Sequence, residues 1–457
     1  MGDMYRESLS DTIAAVATPP GVGGIAIIRV SGPQSIAIVN QWIQKDLYTQ
    51  PSHTVSLMKI YGHEGELLDR ALVIVMRAPR SFTGEDVVEL HCHGGDLVAR
   101  KLLDHLCRGG ARPAGPGEFS LRAFLHNKID LTQAEAIQDL IFAQNDSAIR
   151  IAHDQLSGKF SEHIENLQRK ATELAAIFEA WIDFPEDDLG FCSFENAQAE
   201  LESLKADIES LILSFHEGKM IQSGAVLGIF GAPNVGKSSL MNSLLRKDRA
   251  IVSDTPGTTR DIVEDLVQIR GMHYRILDTA GMRATEESIE KEGIRRSYEA
   301  MQQADLILVV ADASQPNSEH LSSILQDAPH HKSMVVWNKM DIATTTPPIC
   351  NTHTAVEISA INGNGIERLC DAIDRMIWKQ QTQHHHQAVV TNVRHKEALQ
   401  EADHAIERAL DGLSNDLSAE FIAMEMRAAL QSLGSILGTN ITEDILDTIF
   451  SRFCIGK

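Results

Sequence analysis

The stretch GIFGAPNVGKSS, Gly228 to Ser239, constrains the chain around it more than any other. An apolar strand pattern from Val226 to Phe230 runs into Gly231-x-x-x-x-Gly236-Lys237-Ser238 and then into helical periodicity. Glycines at those places let backbone N–H groups point inward at phosphates. The lysine reaches the β and γ oxygens, and the serine hydroxyl ligates Mg²⁺. Strands then alternate with helices to about residue 378, so an α/β unit is expected there.

Three further elements follow in order. DTAG, Asp278 to Gly281, follows an apolar strand and places a carboxylate near the metal and a backbone N–H near the γ-phosphate. Asn338-Lys339-Met340-Asp341 ends the next apolar run, and Ser359-Ala360 ends another. A carboxylate at Asp341 accepts together from guanine N1–H and N2–H₂, a donor pair that adenine lacks, so the expected nucleotide is GTP. The order of these elements is that of Ras-like GTPases. The residues expected around GTP are Asn234, Val235, Gly236, Lys237, Ser238, Ser239, Asp278, Thr279, Ala280, Gly281, Asn338, Lys339, Asp341, Ser359 and Ala360. To these the loop SDTPGTTRD adds Ser253, Asp254, Thr255, Pro256, Gly257, Thr258 and Thr259, a turn-rich segment suited to a mobile switch. Thr258 or Thr259 could complete the Mg²⁺ shell begun by Ser238. Met282 stands where many GTPases place a water-orienting glutamine, and a thioether cannot polarise water. Glu286, Glu287 and Glu290 follow, and on charge pattern alone they read as a solvated face.

Outside this unit the period changes. From about 121 to 217, Leu156, Phe160, Ile164, Leu167, Ala171, Leu174, Phe178 and Trp181 recur every three or four residues. Leu201, Leu204, Ile208, Leu211 and Phe215 repeat the pattern. After the polar link QQTQHHHQ, Leu399, Ala402, Ile406, Ala409 and Leu413 resume it. Residues 12–120 carry short β-branched runs cut by Gly and Pro, a second α/β region. Four segments result: 1–120, 121–217, 218–378 and 379–457. The two helical blocks form one domain into which the third segment is inserted, or the four follow one another as beads.

A net charge of −22 argues against a broad nucleic-acid face, since phosphate binding rests on Lys and Arg. Cysteines at 92, 107, 192, 350, 370 and 454 show no disulfide or zinc spacing, which fits a reducing, cytoplasmic setting. The apolar run from Thr12 is broken by Pro19, Pro20, Gly21, Gly23 and Gly24, so neither signal peptide nor membrane span is expected. His384-His385-His386 lies in polar surroundings and reads as linker.

With DTIAAVATPPGVGGIAIIRVSG, SFTGEDVVELHCHGG, PGEFSLRAFLHNKIDLTQAEA, WIDFPEDD, DTAGMR and the final FCIGK added, the chain from about residue 11 to 457 resembles the MnmE (TrmE) family of tRNA-modifying GTPases. The resemblance implies an N-terminal α/β folate-binding domain that pairs two chains, an all-α helical domain, and a Ras-like P-loop G domain inserted in it. It implies a homodimer that joins an MnmG (GidA)-like flavoprotein in a heterotetramer. Together they place an aminomethyl-type group on C5 of the wobble uridine of certain tRNAs, with a tetrahydrofolate as one-carbon donor. It also implies K⁺-dependent hydrolysis, with Asn234, the backbone oxygens of Ser253 and Thr255, and Thr258 around K⁺, and Thr259 with Ser238 on Mg²⁺. Ser253 and Thr255-Pro256 depart from the commoner form of that loop. Glu290 then becomes the group that positions the attacking water, while Arg260 and Arg283 flank the switches without an assigned role.

For the folate, the resemblance implies Arg29, Glu89, Lys128 and Lys457. A pterin edge offers an amide and a guanidine-like face to a carboxylate, and the folate tail is anionic. If VVELHCH is a strand, Glu89, His91 and His93 share one face while Val88, Leu90 and Cys92 share the other, which splits any His-Cys-His metal set. The family's tail returns to the folate, with Gly456 permitting close approach and Cys454 acting as nucleophile or acid. Residue chemistry alone leaves Cys454 equally readable as a small buried hydrophobe. A ribosome-assembly GTPase switch without modification chemistry fits residues 226–365 as well as the modifying enzyme does.

Overall fold

The structure, a computed structural model, describes residues 10–183, 194–247, 264–278, 301–316, 319–348, 353–378, 388–415, 417–439 and 441–457. The chain divides into two compact units. One comprises Met1–Ile141, Ala152–Glu209 and Glu397–Lys457, the other Phe142–Ile151 and Ser210–Lys396.

The first unit is built on strands β1 (Ile13–Val16), β2 (Ile25–Ser31), β3 (Thr54–Tyr61), β4 (Leu67–Met76), β5 (Val87–His93) and β6 (Arg112–Pro113), in the order β3-β4-β5-β2-β1-β6. All neighbours are antiparallel except β1 and β6. Period-two alternation sorts the two faces. Ile28, Val30, Val73, Val75, Val88, Leu90 and Cys92 are buried with Ala99, Leu102 and Leu106 of helix Asp96–Arg108. That helix begins on Asp96 and ends with Arg108 in its last turn, charges that suit its dipole. The opposite face is covered at β1, where Ile13 and Ala15 pack on Phe119 of helix Glu118–Leu125. Toward β3 and β4 it carries exposed Val55, Leu57 and Leu72, with Leu57 opposite Leu72 in register.

Arg122, on the same helix as Phe119, is only 1% exposed, and three carboxylates surround its guanidinium: Glu85 at 3.0 Å, Asp11 at 2.5 Å and Glu118 at 3.2 Å. Replacing Arg122 by an uncharged residue would leave the buried Glu85 carboxylate without its cation, a loss of about 3–5 kcal/mol.

The long helix Lys159–Asp183 buries Phe160, Ile164, Leu167, Ala171, Leu174 and Phe178, the stripe expected from sequence, and packs along Ala419–Leu437. Leu201, Leu204 and Ile208 are buried on helix Phe194–Ser223. Leu399, Ala402, Ile406, Ala409 and Leu413 are buried on Val393–Ser414. Leu156 and Trp181, at the ends of the first stripe, are only partly buried.

The second unit carries β7 (Ala225–Phe230), β8 (Glu264–Ile269), β9 (Met272–Asp278), β10 (Leu306–Asp312), β11 (Ser333–Asn338) and β12 (Thr354–Glu357), ordered β12-β11-β10-β7-β9-β8. Every pair is parallel except the β8–β9 hairpin. The uninterrupted apolar runs of β10 and β11 are buried, as strands covered on both faces must be. This is the strand order of Ras-like G domains, with the loop after β7 at the carboxyl edge where such sheets take ligands. Among the described residues no helix is long and apolar enough to cross a membrane.

Candidate functional site

The loop after β7 wraps tightly because two consecutive turns need left-handed backbone: Asn234 has φ of 66° and Gly236 of 98°. A Cβ on Gly236 would meet Nδ2 of Asn338, so the position admits no side chain. Lys237 opens helix Lys237–Lys247 and folds its ammonium back onto the loop, donating to the carbonyls of Gly231 at 2.8 Å and Ala232 at 2.9 Å. Ser238, in the same first turn, is exposed, as is Asn234. Amides converging at a helix start form a phosphate cradle.

Asn338, at the end of β11, is 2% exposed and ties the loop after β7 to the loop after β12. Its Nδ2 donates to the carbonyl of Val235 at 2.9 Å, and its Oδ1 accepts from the N–H of Ala360 at 2.9 Å. Ser359 donates its hydroxyl to Asp341 Oδ1 at 2.7 Å, which orients the exposed carboxylate assigned to guanine. Lys339 takes a positive φ of 64° and donates to Asp312 Oδ2 at 2.6 Å. Burial alone would raise the Asp312 carboxyl. Hydrogen bonds from Lys339 and Ser314 outweigh it and hold the group below its usual range. Asp278, ending β9, pairs in register with Ile229 of β7, one residue short of the cradle's strand end.

Two supports were not singled out from the sequence, Asp312 and Ser243; the Ser243 hydroxyl donates to the Ala360 carbonyl at 2.6 Å. Asp312 ends β10, 27 residues from Lys339 in the chain, and only the β10–β11 register brings the two together. Ser253, Asp254, Thr255, Pro256, Gly257, Thr258, Thr259, Arg260, Thr279, Ala280, Gly281, Met282, Arg283, Glu286, Glu287 and Glu290 lie outside the described residues, as do His384, His385 and His386.

In the first unit, Arg29 on β2 stands opposite Glu89 on β5. Arg29 Nε donates to Glu89 Oε1 at 2.8 Å, and the two side chains are 19% and 14% exposed. Glu89 Oε2 lies 3.1 Å from His91 Nε2. Burial would raise the Glu89 carboxyl, but the Arg29 charge and the hydrogen bonds from His91 and Arg29 hold it low. An ionised carboxylate beside a planar guanidinium recognises a ring's amide edge or a second carboxylate. The alternation in β5 is as expected: Cys92 lies on the buried face with its thiol on the Ala26 carbonyl at 3.3 Å. Burial and the Asp69 charge push that thiol up to about 11.

The end of the chain comes back to this pair. Arg29 Nη1 donates to the carbonyl of Gly456 at 3.1 Å, and its guanidinium lies 5.6 Å from the Phe119 ring centre. The Cys454 thiol is exposed rather than packed. Lys128 is held elsewhere, its ammonium donating to the Pro79 carbonyl at 3.0 Å. No sequence signal marked the Gly456 carbonyl or Phe119 as partners of Arg29.

Comparison with known proteins bears on both sites. Residues 12–128 match the family model described as GTP-binding protein TrmE N-terminus, and residues 131–454 match the one described as MnmE helical domain. The tRNA modification GTPase MnmE of Protochlamydia amoebophila (strain UWE25) is 47% identical over 447 residues, 98% of this chain and 98% of that protein. The tRNA modification GTPase MnmE of Chlamydia felis (strain Fe/C-56) is 45% identical over 448 residues, 98% of this chain and 99% of that protein. Among solved structures, the G domain of the T. maritima FeoB iron transporter covers 33% of this chain and 98% of its own at 26% identity, with a TM-score of 0.25.

Proposed function

This chain belongs to the MnmE (TrmE) family of tRNA modification GTPases, and from that premise we propose that it hydrolyses GTP in a K⁺-dependent manner while serving wobble-uridine modification. In this reading the loop amides and Lys237 bind the phosphates, and Asp341 with Ala360 reads the guanine. The exposed Ser238, in the first helical turn, fits a Mg²⁺ ligand, with Thr259 as its companion. Asn234, exposed on the left-handed turn of the loop, fits a K⁺ ligand, and Ser253, Thr255 and Thr258 are the further ligands of this reading. When bound, the monovalent ion supplies the positive charge between β- and γ-phosphates that an arginine supplies elsewhere. Glu290 orients the water, since Met282 cannot.

The observation that carries the modifying role is the Arg29–Glu89 pair held under the last turn of the chain. Arg29 and Glu89 fit a tetrahydrofolate's pterin edge, Lys128 and Lys457 its anionic tail, and Cys454 presents a free thiol for the one-carbon chemistry. Such a folate supplies the carbon added to uridine C5. The open apolar patch of Val55, Leu57 and Leu72 on the face that bears Glu89 supports pairing with a second copy. With a net charge of −22, the tRNA phosphates fall largely to an MnmG (GidA)-like flavoprotein joined in a heterotetramer, in the cytoplasm. The segments 1–120, 121–217, 218–378 and 379–457 serve as folate-binding, helical, inserted G and returning helical parts.

The test is the GTPase rate in K⁺ against Na⁺ at equal ionic strength, with sedimentation run in each. Faster turnover and heavier species in K⁺ are expected. Equal rates with nucleotide bound would refute the cation mechanism.

A further inference from the structure

Arg29 is fixed by three groups from three elements. Glu89 holds Nε at 2.8 Å from the neighbouring strand, the Phe119 ring lies 5.6 Å away, and the Gly456 carbonyl holds Nη1 at 3.1 Å. A single partly exposed ion pair leaves a long side chain free to sample other rotamers. A carbonyl acceptor on a second nitrogen fixes the plane of the guanidinium as well as its position.

The turn that offers this carbonyl is itself anchored by backbone. Gly117 N–H donates to the Cys454 carbonyl at 3.3 Å and Phe119 N–H to the Lys457 carbonyl at 3.2 Å, while Pro116 and Ile455 form an isolated β-bridge. Phe450 and Phe453 seat it in an apolar cluster with Phe124. Gly456 lies at φ of 90°, and a Cβ there would sit 2.7 Å from the Val16 carbonyl oxygen and 2.8 Å from Ala17 Cα. The turn therefore reaches Arg29 only because residue 456 has no side chain.

We infer that the main-chain carbonyl of Gly456 is a positioning group for the Arg29–Glu89 site. The last turn of the chain builds this ligand site through its backbone, by a route separate from the Cys454 thiol and the Lys457 ammonium. The inference rests on the folate reading above.

The experiment is calorimetric titration of the full-length protein with 5-formyltetrahydrofolate. Gly456→Ala should weaken binding roughly 10-fold, the worth of one charge-assisted hydrogen bond. Ending the chain after Ile455, which removes the carbonyl without inserting a methyl group but also removes Lys457, should do at least as much, and Lys457→Ala gives the share due to the ammonium. In an Arg29→Lys background, titrated at raised ligand concentration, Gly456→Ala should change affinity by less than about 2-fold, because the partner is already gone. Phenylglyoxal modification of Arg29, followed by mass spectrometry without ligand, should run faster in both tail variants. Unchanged affinity and unchanged Arg29 reactivity in the tail variants overturn the inference alone. So does an equal affinity loss in both Arg29 backgrounds, which assigns the tail a general folding role. No binding to the unaltered chain removes the folate reading and this inference with it.

Discussion

Asn338→Ala tests the claim that one buried amide couples the phosphate loop to the base-reading loop. The wild-type side chain makes two hydrogen bonds at 2.9 Å, to the Val235 carbonyl and from the Ala360 N–H, at a site 2% exposed. Alanine leaves both backbone groups buried and unpaired. Each costs about 1–3 kcal/mol, so the loss should be about 2–6 kcal/mol in this unit. At a urea slope of about 2 kcal/mol per M, the midpoint should fall by about 1–3 M. Intrinsic fluorescence reports it directly, since Trp337 is the preceding residue and is buried. Fluorescent GDP and xanthosine diphosphate analogues should both bind more weakly, because the amide holds loops and does not read the base. Asp341→Asn should behave differently, losing guanine nucleotides and gaining xanthosine nucleotides with a small change in stability. A urea midpoint within about 0.3 M of wild type, or an Asn338→Ala protein that switches base preference, would refute the reasoning.

The Glu89 carboxyl is held below its usual range when folded, so its contribution is complete above the unfolded carboxylate range, near pH 4.3. It is lost as pH falls through the folded value. Urea midpoints measured from pH 6 to pH 3 should therefore drop less steeply in Glu89→Gln, and parallel curves would count against the pairing. Iodoacetamide at pH 8 should label the exposed Cys454 well before Cys92, whose thiol is buried and pushed up to about 11; peptide mass spectrometry showing the reverse order contradicts the placement of the tail. Leu57→Asp, at a site 68% exposed on the open sheet face, should shift sedimentation toward monomer. An unchanged sedimentation profile would send the pairing surface elsewhere.

What the sequence disclosed follows from how far each interaction reaches along the chain. VVELHCH showed its two faces because strand alternation is set by neighbouring residues. The stripe Phe160–Phe178 showed its buried side because helix period is local as well. The cradle was legible because GxxxxGKS fixes a contiguous backbone shape, and NKxD follows at the end of a recognisable strand. The supports were not legible. Lys339 meets Asp312, and Arg29 meets Glu89, only through strand registers that no local pattern specifies. Arg122 carries no local sign of its burial: Glu118 lies one turn back on its own helix, but Asp11 and Glu85 reach it from other segments.

Backbone carbonyls are harder still, since every residue has one and none is marked by side-chain identity. Val235 offers its carbonyl to Asn338 and Gly456 offers its own to Arg29, so in each case a motif side chain is oriented by an anonymous acceptor. What the sequence can mark is the reason such an acceptor reaches its partner. At Gly236 the mark is a glycine whose Cβ would strike the Asn338 amide, and at Gly456 one whose Cβ would strike Val16 and Ala17. The glycines of GKS and IGK thus have the same physical function in the two candidate sites: each removes a side chain so that main chain can approach a polar side chain and fix it.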